Sequence, residues 1–96
     1  MDKPGWTFLT NHAHVLVCIA SDPEVRLRDV AEQVGITERA AQMLVADLEE
    51  GGYLRRERVG RRNHYHLTGR TRLRHPLERH VSIRELLDLV VHRATR

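Results

Sequence analysis

Arginine side chains are concentrated in one stretch of this 96-residue sequence, and they indicate a polyanionic partner. Residues 51–80 carry nine arginines against two acidic residues, whereas residues 1–50 carry four basic residues against nine acidic ones. A guanidinium group forms paired hydrogen bonds with phosphate oxygens or with the edge of guanine, which suits such a partner. A solvated surface strip is the alternative interpretation of such a charge run.

Seven histidines raise the question of a metal site, but their spacing is unfavourable. His12 and His14 are two positions apart on a predicted helix and therefore point in widely different directions. His64 and His66 share a strand face, but two ligands leave a zinc site incomplete. We therefore expect no metal and no other cofactor, and a metal-responsive sensor remains an alternative.

Cys18 is the only cysteine, so a reducing compartment such as the cytoplasm is expected. Its neighbours Val15 and Ile19 indicate a buried apolar thiol, and a redox sensor is the alternative. The sequence has no phosphate-binding glycine loop and no nucleophile elbow, so we do not expect an enzyme. It also has no apolar run of about 18 residues that would span a bilayer, and residues 1–6 lack a signal-peptide pattern.

Apolar periodicity predicts helices at both ends of a single domain spanning 1–96. The first helix starts after Thr10 or Asn11 and is apolar on two sides, which is typical of a helix lying between other elements. The last helix opens with a capping box formed by Ser82 and Glu85, and it carries one apolar stripe.

Two further helices are predicted between these ends. The second covers residues 28–34, follows an extended stretch at 25–27, and ends at Gly35, where a sharp turn needs glycine. The third is capped by Thr37 and runs to Glu50. Its apolar positions repeat with helical spacing, so one side of it is expected to be buried.

The helical period disappears after the third helix. Residues 54–59 and 63–67 alternate like two strands joined by a short loop, which predicts a β-hairpin. Alternation places Tyr65 towards the core and the two strand histidines outward. A polar loop follows, with a short turn of helix expected at 76–80.

A short helix, a glycine turn and a longer helix between Leu27 and Leu48 are the signature of a helix-turn-helix, and the arginine-rich hairpin after them supplies a wing. The chain resembles the winged helix domains of the MarR-like and ArsR-like bacterial transcription regulators. The resemblance rests on three segments within residues 10–68, namely LRDVAEQVGIT, DLEEGGYL and GRRNHYHLT. It implies a mainly α fold with a small β-hairpin (α+β), a winged helix-turn-helix core at 10–68, and a loop plus C-terminal helix at 69–96.

The resemblance also implies a regulator, such as a repressor, that binds double-stranded DNA. The helix at 37–50 would enter the major groove, where Arg39 and Gln42 suit guanine and adenine edges. The wing (residues 55–66) would follow the backbone or the minor groove. The candidate DNA-contacting residues are Arg28, Thr37, Glu38, Arg39, Gln42, Met43, Ala46, Arg58, Arg61, Arg62, Asn63 and His64. Three glutamates on or near this helix restrict the expected groove contact to its first two or three turns.

The terminal helices are expected to form a homodimer interface, because the winged core is expected to leave one apolar side of the first helix uncovered. The candidate interface residues are Val15, Cys18, Ile19, Ile83, Leu86, Leu87 and Val90. An intrachain pairing of the two helices is the alternative. A protein-interaction module, with the acidic first half as docking surface, is the competing function from another class. The sequence identifies no small-molecule effector.

Overall fold

The computed structural model describes residues 4–91 and contains four helices and one two-stranded antiparallel sheet within that range. In chain order these are α1 (Asn11–Ser21), α2 (Leu27–Val34), α3 (Glu38–Glu50), β1 (Leu54–Val59), β2 (Arg62–Leu67) and α4 (Ile83–Val90). The expected α+β class is confirmed. Residues 1–3 and 92–96 of the predicted domain lie outside the described residues. Within the described range no helix is long and apolar enough to cross a bilayer.

Side-chain caps begin three of the four helices, as the sequence predicts. The Thr10 and Thr37 hydroxyls accept hydrogen bonds from backbone amides three residues later, at 3.3 and 3.0 Å. At α4 the Ser82 hydroxyl accepts from the Glu85 amide at 3.2 Å, and the Glu85 carboxylate accepts from the Ser82 amide at 2.8 Å. Each cap satisfies a backbone donor that the helix itself leaves free.

The turn between α2 and α3 depends on Gly35, which adopts a left-handed φ of 88° that other residues rarely adopt. Its amide donates to the Ala31 carbonyl at 2.8 Å and closes α2. Leu27 was expected to belong to an extended stretch, but α2 already begins at this residue. The Arg26 carbonyl accepts the first hydrogen bonds of the helix. Residues 76–80 form turns and no helix, so the short turn of helix expected at these positions is wrong.

The two strands pair in a register that matches Leu54 with Leu67 and Arg56 with Tyr65. Leu54 and Tyr65 are buried, so the predicted alternation of this hairpin is confirmed. β2 starts one residue earlier than expected, at Arg62. The opposite edge of β2 is bonded as well, because the Tyr65 amide donates to the Pro23 carbonyl at 2.9 Å. The wing is therefore fixed to the loop between α1 and α2.

The core surrounds α1, which contacts α2, α3 and α4 of the same chain. Val15 and Ile19 are fully buried, and Ile83 and Leu87 on α4 are almost fully buried. The premise that Val15, Cys18 and Ile19 are left unclaimed by their own core is therefore wrong. α4 folds back onto α1, and elements of one chain occupy both apolar sides of this helix.

Candidate nucleic-acid interface

The two sides of α3 differ sharply in exposure. Its inward side buries Ala41, Val45 and Leu48 against the core. The residues proposed to contact DNA lie on the solvent side and are all exposed, namely Thr37, Glu38, Arg39, Gln42, Met43 and Ala46. The Met43 side chain is 62% exposed and is available to an apolar group of a partner. This side of α3 presents a cation, an amide and two apolar groups, the set that major-groove edges accept.

The aligned peptide dipoles contribute partial positive charge at the beginning of α3, where Glu38 lies in the first turn. The exposed Arg39 lies in this first turn and makes no side-chain hydrogen bond or ion pair within residues 4–91. Arg28, exposed on α2, is likewise without such a partner there. These two guanidinium groups are available to an external anion.

Two carboxylates near the C-terminal half of α3 are paired with side chains of the same chain. Glu49 contacts the Arg56 guanidinium at 3.2 Å, and Asp47 contacts the His12 ring at 2.9 Å. The sequence predicted the negative charge here but not its partners, because both partners lie on other elements. The Arg56 pair reduces the repulsion that Glu49 exerts on a polyanion, although surface pairs of this kind contribute little stability.

The wing tip carries Arg61 and Arg62, whose surroundings differ. The Arg61 side chain is exposed and has no bonding partner between residues 4 and 91. Arg62 Nη2 donates to the Glu24 carbonyl at 2.6 Å, and Arg58 Nε donates to the Gly60 carbonyl at 3.1 Å. From the sequence alone, all three arginines are predicted to contact DNA.

The remaining wing candidates are half-buried. Asn63 lies beside the strand turn, and His64 Nδ1 is 3.3 Å from a Glu24 carboxylate oxygen. The His64 and His66 rings are 4.7 Å apart. His66 hydrogen-bonds Glu57 at 2.7 Å and thereby holds the pKa of Glu57 below its ordinary value. Within residues 4–91 no group of three His, Cys, Asp or Glu side chains is arranged to hold a metal ion.

Cys18 is buried in α1, where its thiol contacts the Gln33 side-chain oxygen at 3.4 Å. Burial raises the pKa of the Cys18 thiol, so the nucleophilic thiolate is disfavoured at neutral pH. This environment is that of a structural thiol and not of a reactive sensor.

A groove that sequence reasoning did not find lies between the start of α1, the end of α3 and α4. Its volume is about 410 Å³, and most of its lining is apolar, including Phe8, Leu16, Leu73 and Leu86. Phe8 lies at the edge of the groove, where it is 92% exposed and its ring contacts that of Trp6. The lining residues are far apart in sequence, so no local pattern could reveal the groove.

These elements, a helix-turn-helix followed by a β-hairpin, define a winged helix-turn-helix domain. Residues 9–58 match the IclR helix-turn-helix domain family, and the chain belongs to that family. The resemblance expected from the sequence is to MarR-like and ArsR-like regulators and does not include this family. No curated protein sequence matches the chain significantly.

Two solved structures of bacterial regulators are similar to the chain. One is the PcaV transcriptional regulator from Streptomyces coelicolor with its natural ligand, at 28% identity and a TM-score of 0.55, covering 62% of this chain and 45% of that one. The other is the MarR family protein Rv2887 of Mycobacterium tuberculosis with salicylic acid, at 26% identity and a TM-score of 0.52, covering 65% and 49%. The chain spans about half the length of these proteins. The expected resemblance to winged helix regulators, MarR-like ones included, is confirmed.

The exposed side of α3 yields a first prediction. Arg39→Ala and Gln42→Ala should each weaken binding to a selected duplex site by about 1–3 kcal/mol and weaken binding to random duplex much less, because base-edge contacts carry the sequence preference. Fluorescence anisotropy with both duplexes measures this. Arg79→Ala, an exposed arginine in the 76–80 turns, is the matched control and should change neither affinity. Equal losses on both duplexes would show that α3 does not read bases.

Proposed function

We propose that the chain binds double-stranded DNA with α3 in the major groove and the wing on the backbone or in the minor groove. The observation that carries this proposal is the solvent side of α3, where the unpaired Arg39 stands beside Gln42 and Met43 on a helix whose other side is buried. The family match supports a DNA-binding role in transcription regulation. The proposed activity is binding, with no catalytic step.

The surroundings of each side chain indicate whether it contacts base edges or phosphates. Arg39, Gln42, Met43 and Ala46 contact base edges, while Thr37 and the helix N-terminus contact phosphate. Arg61 extends to the backbone from the wing tip and Arg28 from α2, since both guanidinium groups are unoccupied within the described residues. Backbone contacts of this kind orient the domain and supply most of the non-specific affinity.

We also propose that two copies assemble, but through a different surface from the one expected. α4 already buries Ile83 and Leu87 against its own chain, so its free apolar edge consists of Leu89, 86% exposed, and Val90, 40% exposed. A two-fold pair through this edge would give the assembly two α3 helices, as binding to a two-fold symmetric operator requires.

The DNA-binding proposal predicts a strong dependence of affinity on salt. With about 4–8 phosphates neutralised per dimer, a plot of the logarithm of the association constant against the logarithm of the salt concentration should have a slope near −4 to −7. Titrations of a generic duplex between 50 and 200 mM salt measure it. Arg79→Gln serves as the charge-matched control and should keep the slope. A flat response, or no binding at 50 mM salt, would refute the DNA-binding role and favour a protein-interaction module.

The assembly proposal predicts opposite outcomes for two neighbouring leucines. Leu89→Glu should yield a monomer with its fold retained, because the substituted side chain is solvent-exposed in the single chain. Leu87→Glu should unfold the chain, because burying an unpaired carboxylate costs several kcal/mol. Sedimentation at micromolar concentration with circular dichroism separates the two. A parent protein that sediments as a monomer would contradict the assembly.

A further inference from the structure

β2 is held to the loop between α1 and α2 by contacts with two consecutive residues, Pro23 and Glu24, while Arg56 of β1 contacts Glu49 of α3. The Pro23 carbonyl accepts from the buried Tyr65 amide at 2.9 Å, and the Glu24 carbonyl accepts from Arg62 Nη2 at 2.6 Å. The Glu24 carboxylate also lies 3.3 Å from His64 Nδ1. Three residues of β2 thus contact one corner of the loop between α1 and α2.

Among these contacts the bond from Arg62 is the one nearest the wing tip. It joins residues 38 positions apart in sequence, and its charged donor makes it stronger than a neutral hydrogen bond. β1 and β2 form a sheet of only two strands. A two-stranded hairpin has marginal stability by itself, so its orientation depends on bonds to other elements.

Neighbouring arginines at the tip therefore differ in what they can do. Arg61 has no bonding partner within residues 4–91, whereas the guanidinium of Arg62 is committed to a main-chain carbonyl of its own chain. Losing Arg61 removes a charge from the DNA-facing tip. Losing Arg62 removes the bond nearest the tip that holds the wing to the loop between α1 and α2.

We infer that Arg62 is a positioning residue, which fixes the wing against Glu24 so that Arg61 and the exposed side of α3 meet one duplex together. This inference rests on the proposed DNA binding for its consequence, but the bond to Glu24 is testable without DNA. A wing held in its bound orientation before association lowers the entropic cost of binding. Arg62 thus acts on DNA affinity through geometry, and Arg61 acts through charge.

The matched variants are Arg62→Gln and Arg61→Gln, which remove the same charge from adjacent positions. In the free protein, hydrogen exchange of the Tyr65 amide should be about fivefold faster in Arg62→Gln, the change expected when one hydrogen bond's net contribution is lost. It should be unchanged in Arg61→Gln. The Val45 amide in the core of α3 reports global stability and should keep its protection in both variants. Unchanged Tyr65 exchange in Arg62→Gln, or equal acceleration at every amide, would overturn the positioning role.

Duplex binding supplies the second readout. Arg61→Gln should reduce the magnitude of the salt slope by about one per chain, as expected for a lost phosphate contact. Arg62→Gln should weaken binding while the slope stays at the parent value. An equal loss of slope in both variants would make Arg62 a phosphate contact and overturn the inference. If the parent protein binds no duplex, the DNA-binding proposal fails, while the exchange experiment still decides whether Arg62 holds the wing.

Discussion

The packing of α1 against three other helices is the interaction on which the remaining structure depends. Val15 and Ile19 of α1, Val30 of α2 and Val45 of α3 are the largest fully buried side chains in the described range. A chain of about 100 residues buries only about 60–65% of its unfolded surface, so it has little apolar area to spare. With this packing and the left-handed turn at Gly35, α3 is held with one side in the core and the other in water. Any partner that the exposed side binds meets a preformed surface.

The charge around that surface depends on which charged side chains contact one another and not on composition alone. Glu49, Asp47, Glu57 and Glu24 each contact a basic or histidine side chain of the same chain. Exposed pairs of this kind contribute little stability, and the Arg56 guanidinium neutralises Glu49 locally. Arg28, Arg39 and Arg61, on α2, on α3 and at the wing tip, make no such contact within residues 4–91. The resulting field favours a polyanion even though the net charge of the chain is only +3.

Sequence predicts well what is decided locally and poorly what is decided by distant packing. The caps at Thr37 and Ser82 and the turn at Gly35 could be predicted, because each depends on residues within a few positions. The stripe on α4 indicates burial but not against which partner, and the structure shows that the partner is α1 of the same chain. The role of Arg62 could not be predicted, because its acceptor is a main-chain carbonyl, which any residue type at that position would provide. The apolar groove could not be predicted either, because its lining residues are far apart in sequence.

We propose that α3 and the wing form one DNA-binding surface, and NMR can map that surface residue by residue. Backbone amide shifts of the isotopically labelled chain would be followed by NMR during titration with a selected duplex. The account predicts the largest changes at residues 37–46 and 58–63, together with Arg28, and small changes in the groove beside Phe8 and Leu86. Changes concentrated in that groove and along α4, with α3 and the wing unaffected, would contradict it.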